Sequence, residues 1–341
     1  MSKSLLHSKR ALAYALLLLN TVLWGLSPPI IKKALDFVTI NQFLFGRYLL
    51  ASLIFVPIYF IANRGKKDLR HQNWPLLIFL ALLGTPLTLI PLYEGLKLTS
   101  SLETAILAAT TPIMVILGSR LFLREKVTAN EKVGLFVALL GTLILIFEPA
   151  LTTGFTLTFS LLGNLLIIAS NLIWTAFLLI TKKVKADPDQ ISFVSYLTSV
   201  PVFLILLLLE SPLKIIQTNP GHPFALFGIL YMAIFGSVIA FWAYTKGQAL
   251  IEASEASVFT YLQPIFTFPL AYFWLGESIS SLGIFACLLI ATGVYFSEYR
   301  GHPSPRHPEP PFRHPERSRG IFFQRRTTSK DPSTREYPRS G

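Results

Sequence analysis

From residue 11 to residue 299 the chain reads as ten apolar runs parted by short polar intervals: 11–31, 42–62, 75–96, 104–123, 133–148, 159–180, 191–209, 224–245, 256–275 and 282–299, segments 1 to 10 below. A run of about 20 apolar residues crosses a hydrocarbon core of about 30 Å when it is helical. In lipid every backbone N–H and C=O must be satisfied internally, so runs of this length fold as helices. Only 14% of the 341 residues are charged and 52% are hydrophobic, whereas a soluble domain carries roughly 25% charged residues. The intervals leave no room for a soluble catalytic domain, and the fold class is an all-α membrane protein with ten transmembrane helices.

Segment 1 follows Lys9 and Arg10 as a signal peptide would, but no small-x-small cleavage site precedes Trp24, so it reads as a retained helix. The single cysteine, Cys287, lies within segment 10 and all six histidines fall in loops or tails, which argues against a disulfide, a metal site or a bound cofactor. Basic residues near helix ends set orientation. Lys3, Lys9, Arg10, Arg64, Lys66, Lys67, Arg70, Arg120, Arg124, Lys126, Lys132, Lys182, Lys183, Lys185 and Lys246 fall on one side, against Lys32, Lys33, Lys97 and Lys214 on the other. Both termini are therefore expected in the cytoplasm, with the protein multi-pass in the cell (inner) membrane.

Two phrases, ATTPIMVILGSRLFLRE (109–125) and YLQPIFTFPLAYFWLGE (261–277), each place a proline thirteen residues before a glutamate. The likeness extends along both halves. Trp24 falls on Trp174 and Lys32-Lys33 on Lys182-Lys183 at an offset of 150, Phe45 and Tyr48 on Phe193 and Tyr196 at 148, and Gly84, Gly95, Glu103, Pro112, Glu125 and Gly141 on Gly236, Gly247, Glu255, Pro264, Glu277 and Gly293 at 152. The chain is a duplicated five-helix unit. An odd number of spans makes the second copy enter from the opposite side, which predicts two inverted five-helix repeats, the architecture of alternating-access transporters. Pro112 and Pro264 each remove a backbone donor and are expected to expose the carbonyls of Ala108 and Thr260, either as a packing kink or toward a watery cavity.

The phrases VLWGLSPPIIKKAL, FGRYLLAS, YEGLKLTSSLETAILAATTPIMVILGSRLFLREKVT and TKGQALIEASEASVFTYLQPIFTFPLAYFWLGES resemble the two tandem EamA domains of the drug/metabolite transporter superfamily. The resemblance runs from about residue 11 to residue 298. It implies a ten-helix fold whose central cavity is lined by segments 1 to 4 and 6 to 9, with 5 and 10 to the side. One departure is Trp174-Thr175 where the first copy has Trp24-Gly25, so a tight bend is expected in segment 1 more than in segment 6.

Candidate pathway residues follow from polarity at depth. Arg47 is an intramembrane arginine, which by default faces protein or water; Glu94 on the adjacent hairpin lies at similar depth and is its expected partner, as a structural ion pair or as a substrate or proton-coupling site. The matching second-copy positions are Ser195 and Lys246, so the polar pattern is asymmetric. Lys246 is expected to reach the cytoplasmic surface. Trp24, Trp174, Tyr244, Tyr261 and Gln263, with Thr110, Thr111, Pro112, Asn171 and Pro264, complete a pathway of apolar walls with a few polar groups. Glu125 and Glu277 are read as capping or loop anchors. Small-residue faces at Gly134, Ala138 and Gly141 and at Cys287, Ala291 and Gly293 leave open a homodimer or packing within the monomer.

The domains read as 11–148, 159–299 and a basic Pro, Arg, His and Ser tail, 300–341, expected to be disordered and cytoplasmic. The tail could touch anionic lipid and has no fold or aromatic platform for nucleic acid, while the echo of RHPEP (306–310) in RHPER (313–317) reads as repetitive sequence, so no function is expected of it. The function expected is secondary transport, outward, of a small metabolite such as an amino acid. No GxxxxGK[ST] motif is present, leaving a proton gradient or exchange as the driving force. A nucleotide-type or S-adenosylmethionine carrier is the alternative, and a non-transporting sensor or enzyme the remote one.

Overall fold

A computed structural model of the protein describes residues 3–63, 73–108, 110–122, 159–253, 256 and 258–298, together with nine positions between 133 and 144. The tail 300–341 and Glu125 lie outside the described residues. Helix is the only regular structure among the described residues, and seven helices are long and apolar enough to span a membrane: Lys9–Ala34, Ile40–Ala62, Trp74–Leu98, Ser101–Phe122, Leu161–Val184, Pro188–Leu208 and Pro223–Leu250. They correspond to segments 1 to 4 and 6 to 8. Segment 9 is a 3-10 turn, Val258–Leu262, followed by the helix Gln263–Leu275, and segment 10 is Ser281–Glu298.

The helix starts carry their own signals. Thr39 and Gln42 form a reciprocal capping box that begins segment 2. Asn73 accepts from the Leu76 N–H ahead of segment 3, and Asp187 accepts from the Asp189 and Gln190 N–H groups ahead of segment 7, each with proline in the first turn. Such caps satisfy donors that the first helical turn cannot. Gly276, at φ +66°, ends segment 9 in the left-handed region that glycine tolerates best.

Five segments are interrupted part-way. Segment 1 turns at Leu26 between Lys3–Gly25 and Ser27–Ala34, whose first turn holds Pro28 and Pro29. Segment 3 turns at Thr85 ahead of Pro86, and segment 4 restarts at Thr111. Segment 8 passes through eight residues of π-helix, Met232–Ile239, and segment 9 through its 3-10 turn. Segment 6, in contrast, runs unbroken as Phe159–Val184, so the bend at Trp24-Gly25 has no counterpart at Trp174-Thr175.

Segment 3 packs along segment 6, segment 1 along segment 8, segment 2 along segment 7, and the start of segment 4 along segment 9. In lipid such contacts depend on close backbone approach rather than on hydrophobic exclusion. At the 3–6 crossing a Cβ on Gly95 would sit 2.7 Å from the Gly163 carbonyl oxygen. At the 1–8 crossing a Cβ on Gly247 would sit 3.2 Å from the carbonyl oxygen of Ala13. Gly95 and Gly247 are 152 residues apart, and Ala13 and Gly163 are 150 apart, so the two crossings use matching positions of the two halves. Gly141 lies against the Ala286 carbonyl of segment 10, so this glycine packs within the chain.

Apolar side chains also face outward, with Phe273 84% and Leu121 75% exposed, while Arg47 is only 4% exposed. An apolar exterior around buried polar groups is what a hydrocarbon solvent selects.

Candidate functional site

The five interrupted helices, with segments 2 and 6, line a cavity of about 150 Å³. Its walls come from segments 1, 2, 3, 4, 6, 8 and 9. Trp24, Arg47, Thr111, Trp174 and Gln263 all line it. Four pairs of lining residues stand at the repeat offsets: Trp24 with Trp174, Leu89 with Phe241, Ala108 with Thr260, and Thr111 with Gln263.

One wall is aromatic. The Trp24 ring stacks on Tyr244 at 5.4 Å and 23° and meets Trp174 edge-on at 5.7 Å, while Trp174 and Tyr244 are 5.6 Å apart. Tyr244 is 3% exposed and stands behind the two tryptophans rather than in the lining. Such ring clusters are rigid and bury large areas. Trp24 is fixed further by its indole N–H, which donates to the Gly236 carbonyl at 2.9 Å.

Arg47 sits beside this wall. Its Nε donates to Ser237 Oγ at 2.8 Å and its Nη1 to the Tyr93 hydroxyl at 2.8 Å, and its guanidinium lies 5.0 Å from the Tyr48 ring centre. The Tyr196 hydroxyl donates to the Ser237 carbonyl at 2.8 Å. Gly236 and Ser237 belong to the π-helical stretch, a form often found at functional sites. The expected Arg47–Glu94 pair does not form. Glu94 is exposed and absent from the cavity lining, whereas Tyr93 is fully buried. One residue along a helix turns the side chain by about 100°, which brings Tyr93 to Arg47 and carries Glu94 away. Lys246 is likewise engaged elsewhere, 3.2 Å from the Asp189 carboxylate and 5.5 Å from the Trp242 ring centre.

Pro112 and Pro264 occupy equivalent places, each the second residue of a restarted helix. There the missing N–H has no helical acceptor to lose, so each proline starts a helix instead of kinking one, and neither lines the cavity. Ala108 and Thr260, four residues before them, do. The break in segment 4 is bridged by Asn171, whose Nδ2 donates to the Leu107 carbonyl at 2.8 Å and to Thr110 Oγ1 at 3.3 Å. The Ser170 hydroxyl donates to the Thr88 carbonyl at 2.8 Å. Tyr261 lies in the 3-10 turn, with its side chain outside the described residues.

At the end of the bundle that carries Lys32, Glu277 accepts from the Ser101 and Leu102 N–H groups at 3.0 and 3.1 Å and from the Ser101 hydroxyl at 2.5 Å. It thereby caps the helix of segment 4 in the anchoring role expected of it. Lys32 lies 3.4 Å from the same carboxylate and donates to the Thr99 carbonyl. Its counterpart Lys182 donates to the carbonyls of Ile251, 152 residues beyond Thr99, and Gln248.

Tyr93, Ser237, Tyr196 and Ser170 carry no charge, and sequence reasoning passed over them. The available signal was that an intramembrane arginine needs partners of some kind, and hydroxyls accept hydrogen bonds as carboxylates do, though without their charge.

The sequence profile of the EamA-like transporter family matches residues 11–147 and again residues 161–299. The uncharacterized transporter YyaM of Bacillus subtilis is 24% identical, over 82% of this chain and 92% of its own length. An uncharacterized transporter of Archaeoglobus fulgidus is 25% identical, over 85% and 98% respectively. The riboflavin transporter of Vibrio cholerae is 26% identical, over 62% of this chain and 67% of its own. A crystal structure covering 85% of this chain and 96% of its own superposes with a TM-score of 0.61 at 18% identity, a likeness of fold. With the profile matched across both halves around a mostly apolar cavity, the chain belongs to the EamA-like transporter family.

Proposed function

We propose that the protein is a secondary transporter that exports a small amphipathic metabolite by alternating access. Ten helices form two inverted repeats, 11–148 and 159–299, and both termini lie in the cytoplasm. The observation that carries this reading is the pairing of cavity walls by repeat position: Trp24 with Trp174, Leu89 with Phe241, Ala108 with Thr260 and Thr111 with Gln263. A site shared by two related halves opens to one face or the other when the halves repack. The Lys32–Glu277–Ser101 cluster supports closure at one end.

A space of about 150 Å³ holds roughly one benzene-sized molecule or about five waters, which suits a metabolite of amino-acid size. A flat heteroaromatic substrate is a second reading, favoured by the Trp24–Trp174–Tyr244 wall and by a relative named as a riboflavin transporter. It requires a wider conformation. Solute counterflow in proteoliposomes separates the two, with an amino-acid and organic-acid panel set against riboflavin and nucleosides, each with and without a pH gradient. Saturable counterflow of the small panel is expected. Counterflow of riboflavin alone would establish the second reading, and no counterflow at all would end both.

A further inference from the structure

We infer that the substrate is an organic anion with one carboxylate, and that Arg47 is its anchor; the inference rests on the transporter reading above. The first observation is electrical. Among the described lining residues Arg47 is the only charged one, so they present one positive group and no carboxylate to balance it. Guanidinium stays protonated in proteins. A charge 4% exposed and surrounded by lipid-embedded helices is costly unless it is paired.

The second observation is the state of its donors. Guanidinium carries five N–H donors. Ser237 Oγ takes the Nε–H and the Tyr93 hydroxyl takes one from Nη1, both neutral acceptors, and no carboxylate among the described residues lies within ion-pair distance. The Nη2 group has no hydrogen-bond partner among the described residues. The two bonds that are made hold the planar group in place, and the remaining donors are available to a ligand. A carboxylate matches that need, because it accepts two parallel N–H bonds and supplies the missing charge.

The third observation concerns the rest of the ligand. Arg47 and Trp24 are held by successive residues of the π-helical stretch, Ser237 and Gly236. The anion site and the aromatic wall are therefore set by one backbone element. A carboxylate at Arg47 directs an apolar or aromatic remainder along Trp24 and Trp174 in a space of about 150 Å³. With no acidic residue among the described lining residues, none of them recruits an ammonium group by charge, so a monocarboxylate is favoured over an amine.

The test uses benzoate, benzamide and benzylamine, which share a ring and differ in charge, on the purified full-length protein in detergent. Binding is read by quenching of intrinsic tryptophan fluorescence and by the shift in thermal unfolding. Benzoate is expected to bind saturably and at least about tenfold more tightly than benzamide, the step expected for a hydrogen bond to a charged group, with benzylamine weaker still. Arg47→Gln should remove the preference for benzoate over benzamide, and Arg47→Lys should retain part of it. Equal binding of benzoate and benzamide by the unaltered protein overturns the inference even if the variants fail to fold, as does undiminished benzoate preference in Arg47→Gln. If none of the three binds while counterflow of a neutral or cationic solute is measured, the anion inference falls and the transporter reading stands.

Discussion

Glu277, at the end of segment 9, holds the first turn of segment 4 by accepting from both the N–H and the hydroxyl of Ser101, at 3.0 and 2.5 Å. Lys32 of segment 1 joins them at 3.4 Å from the carboxylate. Three helices from both halves thus meet at one charge cluster beside the cavity. A carboxylate at a helix N-terminus is favoured by the unpaired donors there, and the Glu277 side chain is only 12% exposed, so screening is limited.

Glu277→Gln should therefore loosen this end. With Cys287→Ser removing the native thiol and Ala105→Cys placing one in the cavity wall, a membrane-impermeant maleimide added from the Lys32 side should label several-fold faster when residue 277 is Gln. An unchanged labelling rate would mean that the cluster does not govern access.

Segments 1 and 9 meet at Gly25. A Cβ there would lie 2.8 Å from the Gln263 carbonyl oxygen and 2.9 Å from Phe266 Cβ, and Thr267 Oγ1 donates to the Gly25 carbonyl at 2.5 Å. Backbone cannot yield as a side-chain tip can, so Gly25→Ala should cost about 1–3 kcal/mol, the range for overpacking. The control is Gly221→Ala, where the nearest atom is 3.6 Å away and no measurable effect is expected. Thermal unfolding in detergent decides, and equal midpoints for the two variants would show that the crossing relaxes freely.

Asn171→Ala tests the bridge over the break in segment 4. The Leu107 carbonyl keeps the Thr110 N–H and hydroxyl but loses the Asn171 amide, and the loss of one such bond costs about 0.5–1.5 kcal/mol. A drop in unfolding midpoint is expected, with partial recovery in Asn171→Gln. No drop would indicate that water replaces the amide.

The positions of segments 1 to 4 and 6 to 8 were legible in the sequence because lipid demands long apolar runs. The aromatic pair Trp24 and Trp174 was legible because duplication marked it. Arg47 was found by its charge, but its partners were not. The choice between Tyr93 and Glu94 depends on a rotation of about 100° per residue, finer than the depth argument resolves. The π-helical stretch leaves no pattern in MAIFGSVI; its residues Gly236 and Ser237 are marked only by the tertiary hydrogen bonds they accept from Trp24, Arg47 and Tyr196. Prolines at Pro112 and Pro264 announced irregular backbone, while the form it takes, helix restarts at Thr111 and Gln263, came from tertiary structure.

The Arg47 neighbourhood supplies a coupling test. Tyr93→Phe removes a neutral hydroxyl from a buried guanidinium and should cost about 1–3 kcal/mol, whereas Glu94→Gln, on an exposed face, should change stability by no more than about 0.5 kcal/mol. Combined with Arg47→Ala, the Tyr93 change should be strongly non-additive and the Glu94 change additive within about 0.5 kcal/mol. Non-additivity at Glu94 would restore the ion pair that the geometry rejects.

The proposed inverted arrangement makes a prediction about sidedness. Segment 6 begins beside the end of segment 3, since a Cβ on Gly163 would lie 3.1 Å from Thr99 Cβ, and Thr99 is also where Lys32 at the end of segment 1 donates. Lys182 lies nineteen residues farther along an unbroken helix, about 28 Å away at 1.5 Å per residue. Lys32 and Lys182 therefore mark opposite ends, and a chain whose N-terminus is cytoplasmic must carry Lys182 on the cytoplasmic side. Reporter fusions after Lys185 should be active in the cytoplasm, and fusions after His222, which precedes segment 8, on the exterior. Cytoplasmic signal at both sites would mean that segment 7 fails to cross. Exterior signal at Lys185 would place the two lysines on one face in the cell, and the related contacts Lys32 to Thr99 and Lys182 to Ile251 could no longer serve as alternate closures of one pathway.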